Sequence, residues 1–75
     1  MQLSQFSAVR LTTDRFRDEG VARGALGFVL DIFDDGYDVE FSRPKDGSAI
    51  ALLFLKATDV EPAPEVALRP VHASL

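Results

Sequence analysis

The stretch Gly24-Ala-Leu-Gly-Phe-Val-Leu-Asp-Ile-Phe-Asp-Asp-Gly-Tyr-Asp-Val-Glu-Phe41 decides the fold of this chain. Two runs rich in apolar and aromatic residues flank Asp34-Asp35-Gly36. Asp-Gly between apolar runs is among the best short-range signals for a β-hairpin, because glycine takes the positive φ that a tight hairpin turn requires. The stretch therefore predicts a hairpin, with one strand over residues 26–33 and the next over residues 37–42.

The rest of the chain also divides into short strands and turns. In chain order we predict a strand at about residues 7–12, a charged loop without a helix over 14–23, a Gly-bearing turn over 43–48, a strand over 49–55, and one helical turn with a short fifth strand over 56–61. Phe16 and Val21 of the loop are expected to dip into the core. Gly24 and Gly27, just before a strand, indicate either a positive φ or a close approach of another backbone.

These elements predict an all-β fold, a small SH3-like barrel or rolled sheet of about five antiparallel strands with a long loop after the first. The barrel is expected to span residues 1–61. Residues 62–75 contain Pro62, Pro64 and Pro70 and are expected to form an extended C-terminal tail. The strand over 49–55 is apolar throughout, which favours burial of both its faces or a cover such as this tail.

The chain has 75 residues, no cysteine and a formal net charge of −4. So short a chain forms one domain, whose core rarely supplies more than about 3–5 kcal/mol of net stability. Without cysteine, disulfides and thiolate metal sites are excluded, and a cytoplasmic location is expected. The N-terminus lacks the basic and apolar regions of a signal peptide, and no apolar run approaches the about 20 residues of a membrane helix. We therefore expect a soluble, unprocessed chain.

Two segments of the hairpin, Gly24-Ala-Leu-Gly-Phe-Val-Leu-Asp31 and Tyr37-Asp-Val-Glu-Phe41, resemble motifs of the small bacterial domain-of-unknown-function family 4926. That family reads Gly-x-x-Gly-Thr-Val-Val-Glu in the first, from which this chain departs at Phe28 and Asp31, and Tyr-x-Val-Glu-Phe in the second, which is intact. The resemblance covers residues 7–61. It implies an SH3-like barrel without enzyme chemistry. Because such genes often lie beside those of toxins or effectors, it also implies an antitoxin or immunity role.

Every charged residue between Arg23 and Arg43 is acidic, and these residues form the candidate binding site. Alternation places Asp38 and Glu40 on one sheet face, and Asp31 can join them across the hairpin if Leu30 and Ile32 point inward. One interpretation is a solvated outer face that protects an edge from aggregation. The other is a docking surface for a basic patch on a toxin or effector, with electrostatic complementarity selecting the partner. A metal site has little support, because no Asp-x-Asp-x-Asp-Gly loop with a distal Glu is present. The predicted partner-binding residues are Asp31, Phe33, Asp34, Asp35, Tyr37, Asp38 and Glu40.

Other functions are weaker alternatives. Arg10, Arg15, Arg17 and Arg23 with Phe16 form a candidate nucleic-acid surface, but neighbouring carboxylates and the acidic net charge oppose it. An accessory subunit of a larger assembly, or a homo-oligomer, is a further alternative. We predict no enzyme activity, because a small barrel filled by its own side chains offers no useful cleft, and the one histidine, His72, lies in the tail. No cofactor is implied.

Overall fold

The computed structural model of the protein describes residues 3–43 and 45–64. In this part of the chain five antiparallel strands form one sheet in the order β4-β3-β2-β1-β5. The strands are β1 (Ala8–Leu11), β2 (Leu26–Phe33), β3 (Gly36–Ser42), β4 (Ala49–Leu55) and β5 (Val60–Pro62). The predicted all-β, SH3-like fold is confirmed: β1 to β4 follow one another across the sheet, and β5 returns to the free side of β1. The sheet stays open, with β4 and β5 as its edges, and most of the predicted tail lies outside the described residues.

One apolar core holds the sheet in its rolled shape, because all five strands contribute to it. On β3 the alternation is strict, with Val39 and Phe41 fully buried while Asp38 and Glu40 lie on the opposite face. Burial of such side chains contributes about 25 cal/mol per Å² of apolar surface removed from water. The buried core residues are Leu3, Val9, Leu11, Val21, Val29, Val39, Phe41, Leu53, Leu55 and Val60.

The glycines of the hairpin are required mainly by close packing. Gly36 does not take the positive φ expected for the turn; it is the first residue of β3, opposite Phe33. A Cβ atom there would lie 2.5 Å from the carbonyl oxygen of Leu55 and 2.6 Å from the ring of Phe54. Gly27 is similar, since its Cβ would lie 2.6 Å from the Glu40 carbonyl oxygen. The expectation of positive φ at Gly36 is therefore wrong, whereas close backbone approach at Gly27 is confirmed.

The loop after β1 is anchored to the core as the sequence predicts. Val21 is fully buried and Phe16 packs partly buried against the same core. The loop also contains one unpredicted turn of 3-10 helix, Arg17–Glu19, which ends at Gly20 with φ 83°. A left-handed residue at this position satisfies the end of a helical turn, and glycine adopts it without steric cost.

A buried carboxylate joins this loop to the segment before β5. Asp59 is 7% exposed. Its Oδ2 accepts hydrogen bonds from Nη2 of Arg15 at 2.7 Å and from the backbone N–H of Lys56 at 3.0 Å. The second of these bonds closes the 3-10 turn Ala57–Asp59, in agreement with the predicted helical turn. Asp59 thus holds together two segments that are distant in sequence.

The helical segments of the described chain are these two turns of three residues each, so none reaches the about 20 residues that a membrane-spanning helix needs.

Candidate protein-binding surface

A β-bulge decides where the acidic side chains of the hairpin lie. Val29 is opposite Val39, and the next pair is Asp31 opposite Asp38, so Leu30 is an extra residue on β2. On a regular strand, residues two apart share a face. Asp31 would then lie on the inner face with the fully buried Val29. The bulge instead brings Asp31 to the outer face, beside Asp38.

Glu40 completes this row of carboxylates on the outer face of the sheet. It lies on β3 two residues from Asp38, opposite Phe28 on β2 and Leu52 on β4. Asp38 is opposite Phe54 on β4. Asp38 and Glu40 thus share one face, as their alternation predicts, and the bulge at Leu30 adds Asp31 to it. On β4, Phe54 lies beside Asp38 and Leu52 lies beside Glu40.

The apolar part of the same face is exposed to solvent. The rings of Phe33 and Phe54 meet with centroids 6.0 Å apart and an interplanar angle of 48°. They are 48% and 46% exposed, and Leu52 beside them is 60% exposed. Gly36 packs directly against the ring of Phe54, and any side chain at this position would displace the ring. Aromatic rings within a polar rim usually contribute most of the binding free energy of a protein interface.

The remaining predicted site residues fall in two places. Asp34 and Asp35 form the exposed hairpin turn next to Phe33. Tyr37 does not join the outer face; it is opposite Leu55 and packs half-buried against the core. We define the docking face as the side chains on the outer side of this hairpin and strand β4 together with the two turn residues: Asp31, Phe33, Asp34, Asp35, Asp38, Glu40, Leu52 and Phe54.

Sequence reasoning did not include Leu52 and Phe54 in the site. The available signal was the continuous apolar run of β4, which favoured burial of both faces. Only Leu53 and Leu55 are buried, so that expectation is wrong; a cover by the tail lies outside the described residues.

Ion pairing in the described residues leaves the docking face uniformly negative. The salt bridges lie elsewhere, between Arg10 and Glu61 at 3.2 Å, Arg15 and Asp59 at 2.7 Å, and Arg23 and Asp14 at 3.1 Å. Three of the four arginines of the candidate nucleic-acid surface are thus paired with carboxylates. That pairing opposes the counterion release on which phosphate-backbone binding depends.

Other sites in the described chain offer little chemistry. An open depression of about 500 Å³ lies beside β1 and β5 and the loop residues Arg23 and Gly24. It is lined by Arg10, Arg23 and Glu61, and these charged side chains are engaged in salt bridges. Within residues 3–43 and 45–64, no three histidine, cysteine or acidic side chains converge to hold a metal ion.

A family model described as "Domain of unknown function (DUF4926)" matches residues 5–62. This range contains the whole of residues 7–61, on which the motif resemblance rests. No curated protein and no solved structure matches the chain.

Proposed function

The chain belongs to the DUF4926 family, a domain of unknown function, and we propose from its surface chemistry that it is a non-enzymatic protein-binding module. The observation that carries this proposal is the contact between Phe33 and Phe54, half-exposed and bordered by carboxylates. Exposed aromatic residues cost solubility unless a partner covers them. A rigid sheet holds them in place, so little side-chain entropy is lost when a partner binds.

The partner is proposed to be a protein that presents basic side chains around an apolar one. The apolar side chain would cover the two phenylalanine rings and Leu52. Arg or Lys side chains would pair with Asp31, Asp38 and Glu40 at the rim, where such pairs contribute more to association rate and partner choice than to affinity. Association should therefore slow as salt screens the charges.

The specific form that we propose is an antitoxin or immunity protein that neutralises a cognate toxin by occupying its active surface. Such a role requires complementarity and no chemistry from the inhibitor. A toxin that acts on a polyanion such as nucleic acid needs a basic active surface. The negative docking face is complementary to a surface of that kind.

Co-purification tests the proposal directly. The tagged protein is expressed with its immediate gene neighbours, and the complex is recovered at moderate salt. A stoichiometric neighbour whose toxicity the chain suppresses is the expected result. Recovery of the chain alone, with no neighbour toxic in its absence, would contradict the antitoxin form.

Charge reversal then locates the interface. Asp38→Lys with Glu40→Lys is expected to weaken the complex about tenfold or more, while the circular dichroism of the free protein is unchanged. Asp18→Lys with Glu19→Lys changes the net charge equally on the exposed 3-10 turn and serves as the control. If the two double variants bind the partner with equal affinity, the docking face is not part of the interface.

A further inference from the structure

Strand β4 is an uncharged edge of the sheet. Within the described residues β3 is its one strand partner, so the backbone groups along its other side have no strand to bond. Its sequence, Ala49-Ile-Ala-Leu-Leu-Phe-Leu55, has no charged residue and no proline. Edge strands are usually protected from pairing by charges, prolines or bulges. The composition of β4 is therefore that of a strand with neighbours on both sides.

A bulge on β4 limits how much of this edge can pair. Phe41 is opposite Ala51 and Ser42 is opposite Ala49, which leaves Ile50 as an extra residue that packs against the core. A bulge bends its strand and interrupts the hydrogen-bond ladder. The regular edge is therefore residues 51–55, with Leu53 at its midpoint.

We infer that a second copy of this chain pairs with this edge, β4 against β4 in antiparallel orientation, about a two-fold axis at Leu53. Leu52 of each copy then opposes Phe54 of the other on the outer face, where both side chains are exposed. On the inner face Ala51 opposes Leu55, a small side chain against a large one. Cross-strand pairs of aromatic and aliphatic residues stabilise sheets. The contact is self-complementary, as a two-fold interface requires.

The acidic residues of β3 do not prevent this pairing. Glu40 lies beside Leu52 and Asp38 beside Phe54, so one row across both copies reads Glu40, Leu52, Phe54, Asp38. Strands are about 4.8 Å apart, which separates the two carboxylates by about 14 Å. That distance exceeds the Debye length of about 8–10 Å at moderate salt. The paired sheet thus carries an apolar strip of four side chains between two acidic borders.

Salt dependence separates this inference from the proposed function. Two chains of net charge −4 repel each other at long range, so added salt should strengthen the homodimer. The complex with a basic partner should respond in the opposite direction. The homodimer inference and the proposed binding of a basic partner can therefore be disproved independently of each other.

Sedimentation equilibrium of the intact protein tests the dimer. A mass of two chains, more populated at high salt, is the expected result; a monomer at every concentration up to the solubility limit would overturn the inference. Leu52→Lys is expected to raise the dimer dissociation constant about tenfold or more. Ile32→Lys is the control, because Ile32 is a half-exposed aliphatic residue on β2. Equal dissociation constants for the two variants, with both folded by circular dichroism, would also overturn it.

Cysteine cross-linking tests the register, since the native chain has no cysteine. Directly opposite side chains have Cβ atoms about 4.5–5.5 Å apart, whereas diagonal neighbours are about 7–8 Å apart. A mixture of Leu52→Cys and Phe54→Cys chains should therefore form a disulfide-linked dimer under mild oxidation. Leu52→Cys alone should cross-link much more slowly, because its two copies are diagonal neighbours. Equal rates, or no cross-linking in the mixture, would contradict the two-fold axis at Leu53.

Discussion

Asp31 and Asp38 lie directly opposite each other in the β2–β3 hairpin, although both are acidic. Like charges in this position destabilise a sheet. The bulge at Leu30 creates the juxtaposition, because without it Asp31 would lie on the inner face. A surface arranged for stability alone would place a Lys or Thr opposite one of them. The pair therefore supports the proposal that this face is arranged for a partner.

Removing one of the two charges should stabilise the free protein. Asp31→Asn is expected to raise the free energy of unfolding by about 0.2–1 kcal/mol, with a smaller gain at high salt. Urea denaturation at two salt concentrations measures the effect. Asp18→Asn, in the exposed 3-10 turn, removes the same charge without this cross-strand neighbour. Equal gains in both variants would mean that net charge, and not the pair, is responsible.

Gly27→Ala should destabilise the fold through a backbone clash. The added Cβ would lie 2.6 Å from the Glu40 carbonyl oxygen, and overpacking of this kind costs about 1–3 kcal/mol. Gly24→Asn is the comparison, because Gly24 has φ 93° with open space around it, and Asn tolerates that conformation. Thermal unfolding should show a clearly larger loss for Gly27→Ala. Equal losses would contradict the close approach of β3 to Gly27.

Asp59→Ala should be among the more damaging single polar substitutions. It removes a nearly buried carboxylate that accepts from Arg15 and from the Lys56 backbone, and hydrogen bonds to charged groups contribute about 1.5–3 kcal/mol. Asp14→Ala breaks the exposed pair with Arg23 and should cost less than about 1 kcal/mol. Chemical denaturation compares the two. A smaller loss of stability for Asp59→Ala than for Asp14→Ala would mean that the hydrogen bonds from Arg15 and the Lys56 backbone to Asp59 contribute little to the fold.

The stability of the turn before β4 should depend on pH through the ionisation of Asp46. Hydrogen bonds from the backbone N–H and hydroxyl of Ser48 hold the pKa of Asp46 below its usual value of 3.8. Because the folded pKa is the lower one, this stabilisation is present above the unfolded pKa and is lost as pH falls through the folded pKa. NMR titration of the Asp46 carboxyl carbon should show a midpoint below 3.8, and Ser48→Ala should raise it. An unchanged midpoint in Ser48→Ala would contradict the assignment.

The strands were predictable because their apolar pattern has a short period. The bounds of β2 and β4 agree with the prediction, since a glycine precedes each strand and a charged residue, Asp34 or Lys56, follows it. Alternation also identified Asp38 and Glu40 as outer residues. The position of Asp31 depends on the bulge at Leu30, which no local pattern reveals. The exposure of Leu52 and Phe54 was missed for a related reason, since an apolar edge strand and a buried central strand read alike in sequence.

The pairing of β1 with β5 sets the timing of folding. Arg10 and Glu61 are 51 residues apart and meet across this pair, so β1 lacks one of its two neighbours until the chain has been synthesised past β5. The β2–β3 hairpin can form as soon as both of its strands have been synthesised, because its turn is two residues long. Contacts between distant parts of a chain slow folding. The hairpin should therefore form early and the pairing of β5 with β1 should limit the rate, which leaves the backbone N–H and C=O groups along one edge of β1 unpaired in the growing chain.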